Sequence, residues 1–173
     1  MPTLSALIVP VPAAEQLVGS WRWQLDRGAR WGIPAHITLV YPFAPPETID
    51  AGAVSRLRAL FGGAEPFAFS LVGPRRFGDQ VLYLAPSPDE PFRSLTEIIM
   101  RDFPDYPPYG GVFSEVIPHL TIADGAPLEE IAVAEEAVTP GLPLRCSAGE
   151  AWLMAGRTDE GSWAVVERFA LGA

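Results

Sequence analysis

Short apolar runs alternate along this chain with longer stretches of helical spacing. Leu4–Val9 is a short apolar run stopped by Pro10 and Pro12, and it predicts a first strand. Residues 13–26 predict a helix, with Leu17, Val18, Trp21 and Leu25 on one stripe. Residues 28–33 form a connector into the run His36–Val40, a buried strand. A second helix is predicted over 49–61, with Val54, Leu57, Leu60 and Phe61 inward and Gly62-Gly63 at its end. Residues 67–72 alternate like a strand, 73–79 read as a turn, and 81–85 as the hairpin partner. The pattern then repeats: a helix over 91–103, a Pro-, Tyr- and Gly-rich loop over 104–111, a strand around 119–123 and a helix over 127–138. One or two strands over 142–155 and a last one over 163–171 complete it. In both halves a strand and a helix come before the central short strand, and a helix and further strands follow. The order predicts an α+β fold: two pseudo-symmetric lobes, each an antiparallel sheet with outer helices, a cleft between the sheets, and one bilobal domain over residues 1–173.

The two central strands share a local sequence. His36-Ile37-Thr38 lies in Pro34-Ala35-His36-Ile37-Thr38-Leu39-Val40, and His119-Leu120-Thr121 lies in Ile117-Pro118-His119-Leu120-Thr121-Ile122-Ala123. These are the chain's only histidines. Side chains at i and i+2 of a strand share a face, so each copy offers an imidazole and a hydroxyl together. A single histidine in an apolar strand is ordinarily a packed core residue. Two in the same context, with none elsewhere, point to a paired role. Imidazole exchanges protons near neutrality, with an unperturbed pKa of about 6.5. Two of them across one cleft supply a general base and a general acid.

With the tripeptide Tyr41-Pro42-Phe43 after the first copy, the two motifs resemble those of the two-histidine phosphoesterases, the superfamily that includes 2′-5′ RNA ligase-like proteins and cyclic nucleotide phosphodiesterases. The resemblance implies a metal-free phosphodiesterase that cleaves a 2′,3′-cyclic phosphate or a 2′-5′ linkage in a nucleotide or an RNA end. His36 and His119 would act as acid and base in an order the sequence leaves open. Thr38 and Thr121 would donate to the non-bridging oxygens. A 2′-5′ RNA ligase, a hydrolase of another cyclic phosphate and a nucleotide-binding module without turnover remain alternatives. Some relatives carry an arginine just after the second motif; here that place holds Asp124-Gly125.

Composition narrows the partners. The 173 residues are 49% hydrophobic and 19% charged, enough for a core. The net charge is -9 and all twelve cations are arginine, which disfavours sequence-independent binding of long nucleic acid. One cysteine, Cys146, allows no internal disulfide and fits a reducing cytoplasm. No apolar run is long enough to span a bilayer and no charged-then-apolar leader is present. Two histidines and one cysteine, without carboxylates in the motifs, make a poor catalytic zinc set, so no metal or cofactor is expected. The expected ligand is a small nucleotide or RNA end, bound by a cytoplasmic monomer. Arg75 and Arg76, placed on a turn, are candidate cationic helpers. Tyr109 and Phe113, in the loop before the second motif, are candidates to close over a base, as are Tyr41 and Phe43. Regular alternation would put Tyr41 on the face opposite His36, which favours core packing for that pair. Trp21, Trp23 and Trp31 are candidate stacking residues, Trp21 being assigned to the core.

Overall fold

A computed structural model describes residues Met1–Ala173. In chain order its main elements are β1 (Leu4–Pro10), α1 (Glu15–Leu25), α2 (Arg27–Trp31), β2 (His36–Val40), α3 (Ala51–Gly62), β3 (Phe67–Phe77) and β4 (Val81–Ser87). They continue with α4 (Glu90–Asp102), β5 (Leu120–Asp124), α5 (Leu128–Val138), β6 (Leu144–Ala148), β7 (Glu150–Gly156) and β8 (Ala164–Ala170). The strands form two four-stranded antiparallel sheets, ordered β2-β1-β7-β8 and β5-β4-β3-β6. The expected α+β architecture of two antiparallel lobes is the one observed.

The halves of the chain are interleaved. The first repeat, β1-α1-β2-α3, sends its next strand, β3, into the sheet of the second motif, beside β4. The strand after α5 and β6 returns the exchange: β7 joins the first sheet beside β1. Helices cross over too. α1 packs on β5 and α4 packs on β2. The motif strands β2 and β5 are edge strands of their sheets and touch each other across the cleft.

Alternation along β1 assigns its two faces. Leu7 and Val9 enter the main core beneath the helices, whereas Ala6 and Ile8 enter a small cluster with Ile33, Met154 and Trp163 on the cleft side. The main core is anchored by Phe61, Phe92 and Phe169, all essentially fully buried. Each such side chain contributes on the order of 1.5–3 kcal/mol through removal of apolar surface from water.

Four differences from the sequence expectation have physical causes. The connector before β2 contains the short helix α2, because Asp26 caps it by accepting from the Gly28 amide at 3.0 Å. β3 runs on to Phe77, so Arg75 and Arg76 sit in the hairpin ladder opposite Tyr83 and Leu82 rather than on a turn. Arg22 lies on the buried stripe of α1 with Val18 and Leu25. Regular alternation fails at the end of β2, as the geometry of the cleft makes plain.

Candidate active site

A cleft of about 640 Å³ lies between the sheets, and His36, Thr38, His119 and Thr121 all line it. The two histidines are held in the same way. His36 Nδ1 donates to the Pro34 carbonyl at 2.7 Å, and His119 Nδ1 donates to the Ile117 carbonyl at 2.6 Å. In each case the partner is the carbonyl two residues upstream. That bond fixes the tautomer with the proton on Nδ1 and leaves Nε2 as the exchangeable nitrogen. Thr38 Oγ1 lies 3.1 Å from His36 Nε2, so the hydroxyl donates to the unprotonated ring. The His119 ring is clamped edge-on by Phe77 and Tyr83, at centroid distances of 5.1 and 5.6 Å.

Each motif strand carries a one-residue bulge immediately after its threonine. Thr38 pairs with Ile8 and Val40 with Leu7, so Leu39 is extra. Thr121 pairs with Tyr83 and Ala123 with Leu82, so Ile122 is extra. A bulge reverses which face the following residues present. The residue five beyond each histidine is thereby turned into the cleft: Tyr41 in the first strand and Asp124 in the second. This corrects the placement of Tyr41 from regular alternation. A bulge also frees backbone groups that need partners. Thr96, buried on α4, donates to the Leu39 carbonyl at 3.0 Å. Arg22, buried on α1, donates from Nε to the Thr121 carbonyl at 3.1 Å. Each motif strand is thus braced at its bulge by a buried polar side chain from the helix of the other repeat.

Arg22 has two further bonds. One Nη donates to the Ile33 carbonyl at 3.1 Å, just ahead of the first motif, and the other meets Asp26 at 2.9 Å. Glu15, on the same helix, accepts from the Ala35 amide at 2.5 Å. One helix therefore fixes the segment leading into His36 and the carbonyl of Thr121 together.

The electrostatics of the histidines differ. Burial pushes the His36 imidazole down to about 3, with the Arg22 charge adding to the effect and His119 adding less. Burial also lowers His119, but its bond to Ile117 and the nearby Asp124 carboxylate favour the protonated ring. Burial pushes the Asp26 carboxyl up against the pull of Arg22.

The remaining expected residues divide. Tyr109 and Phe113 line the cleft, edge to face at 5.6 Å, and Phe113 is 60% exposed at its mouth. Tyr109 holds a left-handed backbone, φ 53°, and its amide donates to the Tyr41 carbonyl at 2.7 Å. Phe43 is in the core, edge-on to Phe103 at 5.2 Å and Tyr106 at 5.6 Å, and does not face the cleft. Arg75 and Arg76 are not at the cleft; Arg76 pairs with Glu135 of α5 at 2.5 Å. The arginine that does line it is Arg27, which lies 4.0 Å from Asp124. Trp31, Trp163 and Met154 complete the first-sheet wall. Of the tryptophans weighed for stacking, Trp31 is at the cleft, while Trp21 packs against the core. No three His, Cys, Asp or Glu side chains converge as a metal-holding group. No helix is long and apolar enough to cross a membrane.

Comparison with known proteins agrees with this architecture. A protein of Bacillus licheniformis, provisionally named a phosphoesterase, is 27% identical over 177 residues, covering 96% of this chain and 97% of its own. The fold is similar to that of Escherichia coli LigT complexed with 3′-AMP, with a TM-score of 0.66, 19% identity and full coverage of both chains. It is likewise similar to the TT0787 protein of Thermus thermophilus, with a TM-score of 0.68, 18% identity and 98% coverage of each. The pattern of the 2′-5′ RNA ligase superfamily matches residues 9–160, and the chain belongs to that superfamily.

Proposed function

We propose that this protein is a phosphodiesterase that opens a 2′,3′-cyclic phosphate or a 2′-5′ linkage, with the chain working as one bilobal unit. The observation that carries the proposal is the matched pair of imidazoles, each with Nδ1 tied to a carbonyl and Nε2 left for proton transfer into one shared cleft. The Bacillus licheniformis relative's name and the nucleotide in the LigT complex point the same way.

His36 is the base. Its burial and the neighbouring Arg22 keep the ring neutral, so Nε2 takes a proton from water as the oxygen attacks phosphorus. His119 is the acid: burial lowers its pKa, and the Ile117 bond and the Asp124 carboxylate work against that lowering; its Nε2 proton passes to the ribose oxygen as the P–O bond breaks. The products are a phosphomonoester and a free ribose hydroxyl. His36 ends protonated and His119 neutral, and exchange with solvent restores both. Acid and base assistance of this kind is each typically worth about 10²–10⁴-fold. Thr38 turns from His36 to the incoming phosphate, and Thr121 donates from the opposite side, where negative charge builds on the non-bridging oxygens.

The test is a panel of nucleoside 2′,3′-cyclic phosphates, 2′-5′ dinucleotides and other cyclic phosphates, with the phosphate position of each product assigned by NMR. Turnover that disappears in His36→Ala and in His119→Ala supports the proposal. Binding without turnover across the whole panel overturns it in favour of a nucleotide-binding module.

A further inference from the structure

The cleft is short of positive charge. Its lining holds one exposed cation, Arg27, against three carboxylates, Asp26, Glu115 and Asp124. Asp26 is matched by buried Arg22. That leaves Asp124 and Glu115 at the rim, with Arg27 already beside Asp124 at 4.0 Å. Arg93 meets Glu115 at 3.0 Å but also holds Asp89 at 3.0 Å. Counted with their partners, the four carboxylates Asp26, Asp89, Glu115 and Asp124 stand against three arginines, Arg22, Arg27 and Arg93, so the cleft has no surplus of positive charge for a second phosphate. Asp124 faces the cleft only because of the bulge at Ile122; the matching place in the other motif holds Tyr41.

The walls are apolar. Ile8, Trp31, Met154 and Trp163 face Phe77 and Val81. The lining contains no Asn or Gln, the side chains that pair bidentately with adenine. Flat aromatic surfaces bind any base face without regard to its identity.

We propose that the cleft selects a compact phosphodiester bearing one negative charge and a flat apolar substituent, and that Asp124 and Glu115 turn away substrates carrying further phosphates, a continuing RNA strand included. The proposal rests on the phosphodiesterase reading for its chemistry but concerns charge, which binding alone reports. The single charge is met by the two threonine hydroxyls, and by His119 in the fraction of molecules whose ring carries the second proton. An added phosphomonoester brings a further charge of about -1.5 to -2 near neutral pH to a rim where carboxylates outnumber arginines.

The experiment compares adenosine 2′,3′-cyclic phosphate with its 5′-phosphorylated form at low ionic strength and again in about 0.5 M salt, where exposed charges are screened. The expected kcat/KM is about tenfold lower for the 5′-phosphorylated compound at low salt, and the gap closes as salt is added. Asp124→Asn should narrow the low-salt ratio about two- to fivefold, the scale of one exposed charge. Equal kcat/KM for the two compounds, or a gap that widens with salt, overturns the proposal. A second arm titrates tryptophan fluorescence with adenosine 2′-monophosphate and adenosine 2′,5′-bisphosphate, which needs no turnover. Tighter binding of the monophosphate without hydrolysis of either cyclic compound keeps charge selection and removes the catalytic reading. Tighter binding of the bisphosphate, or no binding of either, overturns the selection.

Discussion

The Nε of Arg22 donates to the main-chain carbonyl of Thr121 at 3.1 Å, across 99 residues of sequence. A buried cation on α1 thus holds the second motif while its other nitrogens hold Ile33 and Asp26. Arg22→Met strands the Asp26 carboxylate and two carbonyls, and should cost about 3–5 kcal/mol in urea unfolding. Arg22→Met with Asp26→Asn should recover part of that loss. Removing the cation also lets His36 take a proton more easily, so the acid limb of kcat/KM should move to higher pH in the double variant. An unmoved limb would leave Arg22 a purely structural brace.

On the proposed acid–base mechanism, truncating either histidine should be far more damaging to rate than to fold. His36→Ala and His119→Ala should each lower kcat about 10²–10⁴-fold, with circular dichroism unchanged. Thr38→Val and Thr121→Val should lower kcat by up to about 10²–10³-fold, the range for loss of one donor to a developing oxyanion. A smaller effect on KM than on kcat would locate their contribution in the transition state.

The lowered histidines set the pH behaviour. kcat/KM should be bell-shaped, with the acid limb from His36 near its value of about 3 and the basic limb from His119 below 6.5. Stability follows by linkage. Between about 3 and 6.5 the unfolded His36 holds a proton that the folded one does not, so stability rises with pH across that window and is lost as pH falls through it. The amount is on the order of a few kcal/mol. Urea midpoints measured from pH 7 to 3.5 should fall less steeply in His36→Gln; an identical slope would contradict the assignment.

Gly156 ends β7 against Trp163. A Cβ there would lie 2.5 Å from the indole and 2.8 Å from the Trp163 Cα, a backbone atom. Gly156→Ala should therefore destabilise by about 1–3 kcal/mol and displace an indole that walls the cleft. A changed tryptophan emission spectrum together with a raised KM is the expected result.

The His and Thr quartet was legible because residues at i and i+2 of a regular strand need only the two-residue period to be placed together. The bulges at Leu39 and Ile122 were not, since no residue type marks them: both are ordinary aliphatics, and the reversal of Tyr41 and Asp124 is visible only in the register. Arg22 did carry a signal, a cation on the apolar stripe between Val18 and Leu25 with an acid four residues on at Asp26. Arg75 and Arg76 misled because Gly73-Pro74 resembles a turn, whereas β3 continues through it with a shift in register between Leu71 and Pro74. The interleaving of strands was illegible for a different reason. Element order fixes which strands exist, but pairing depends on partners far apart in the chain.

That interleaving constrains how the cleft can come into existence. Motif strand β2 is backed by β1, which is flanked in turn by β7, and β5 is backed by β4 and then β3. A nascent chain emerging as far as α3 has its first imidazole but only two strands of the sheet that carries it, too few for independent stability. Loop-closure entropy must be overcome before β7 can dock on β1. The facing pair of imidazoles is therefore a late product of folding, brought together by the same joining of distant segments that interleaves the two sheets.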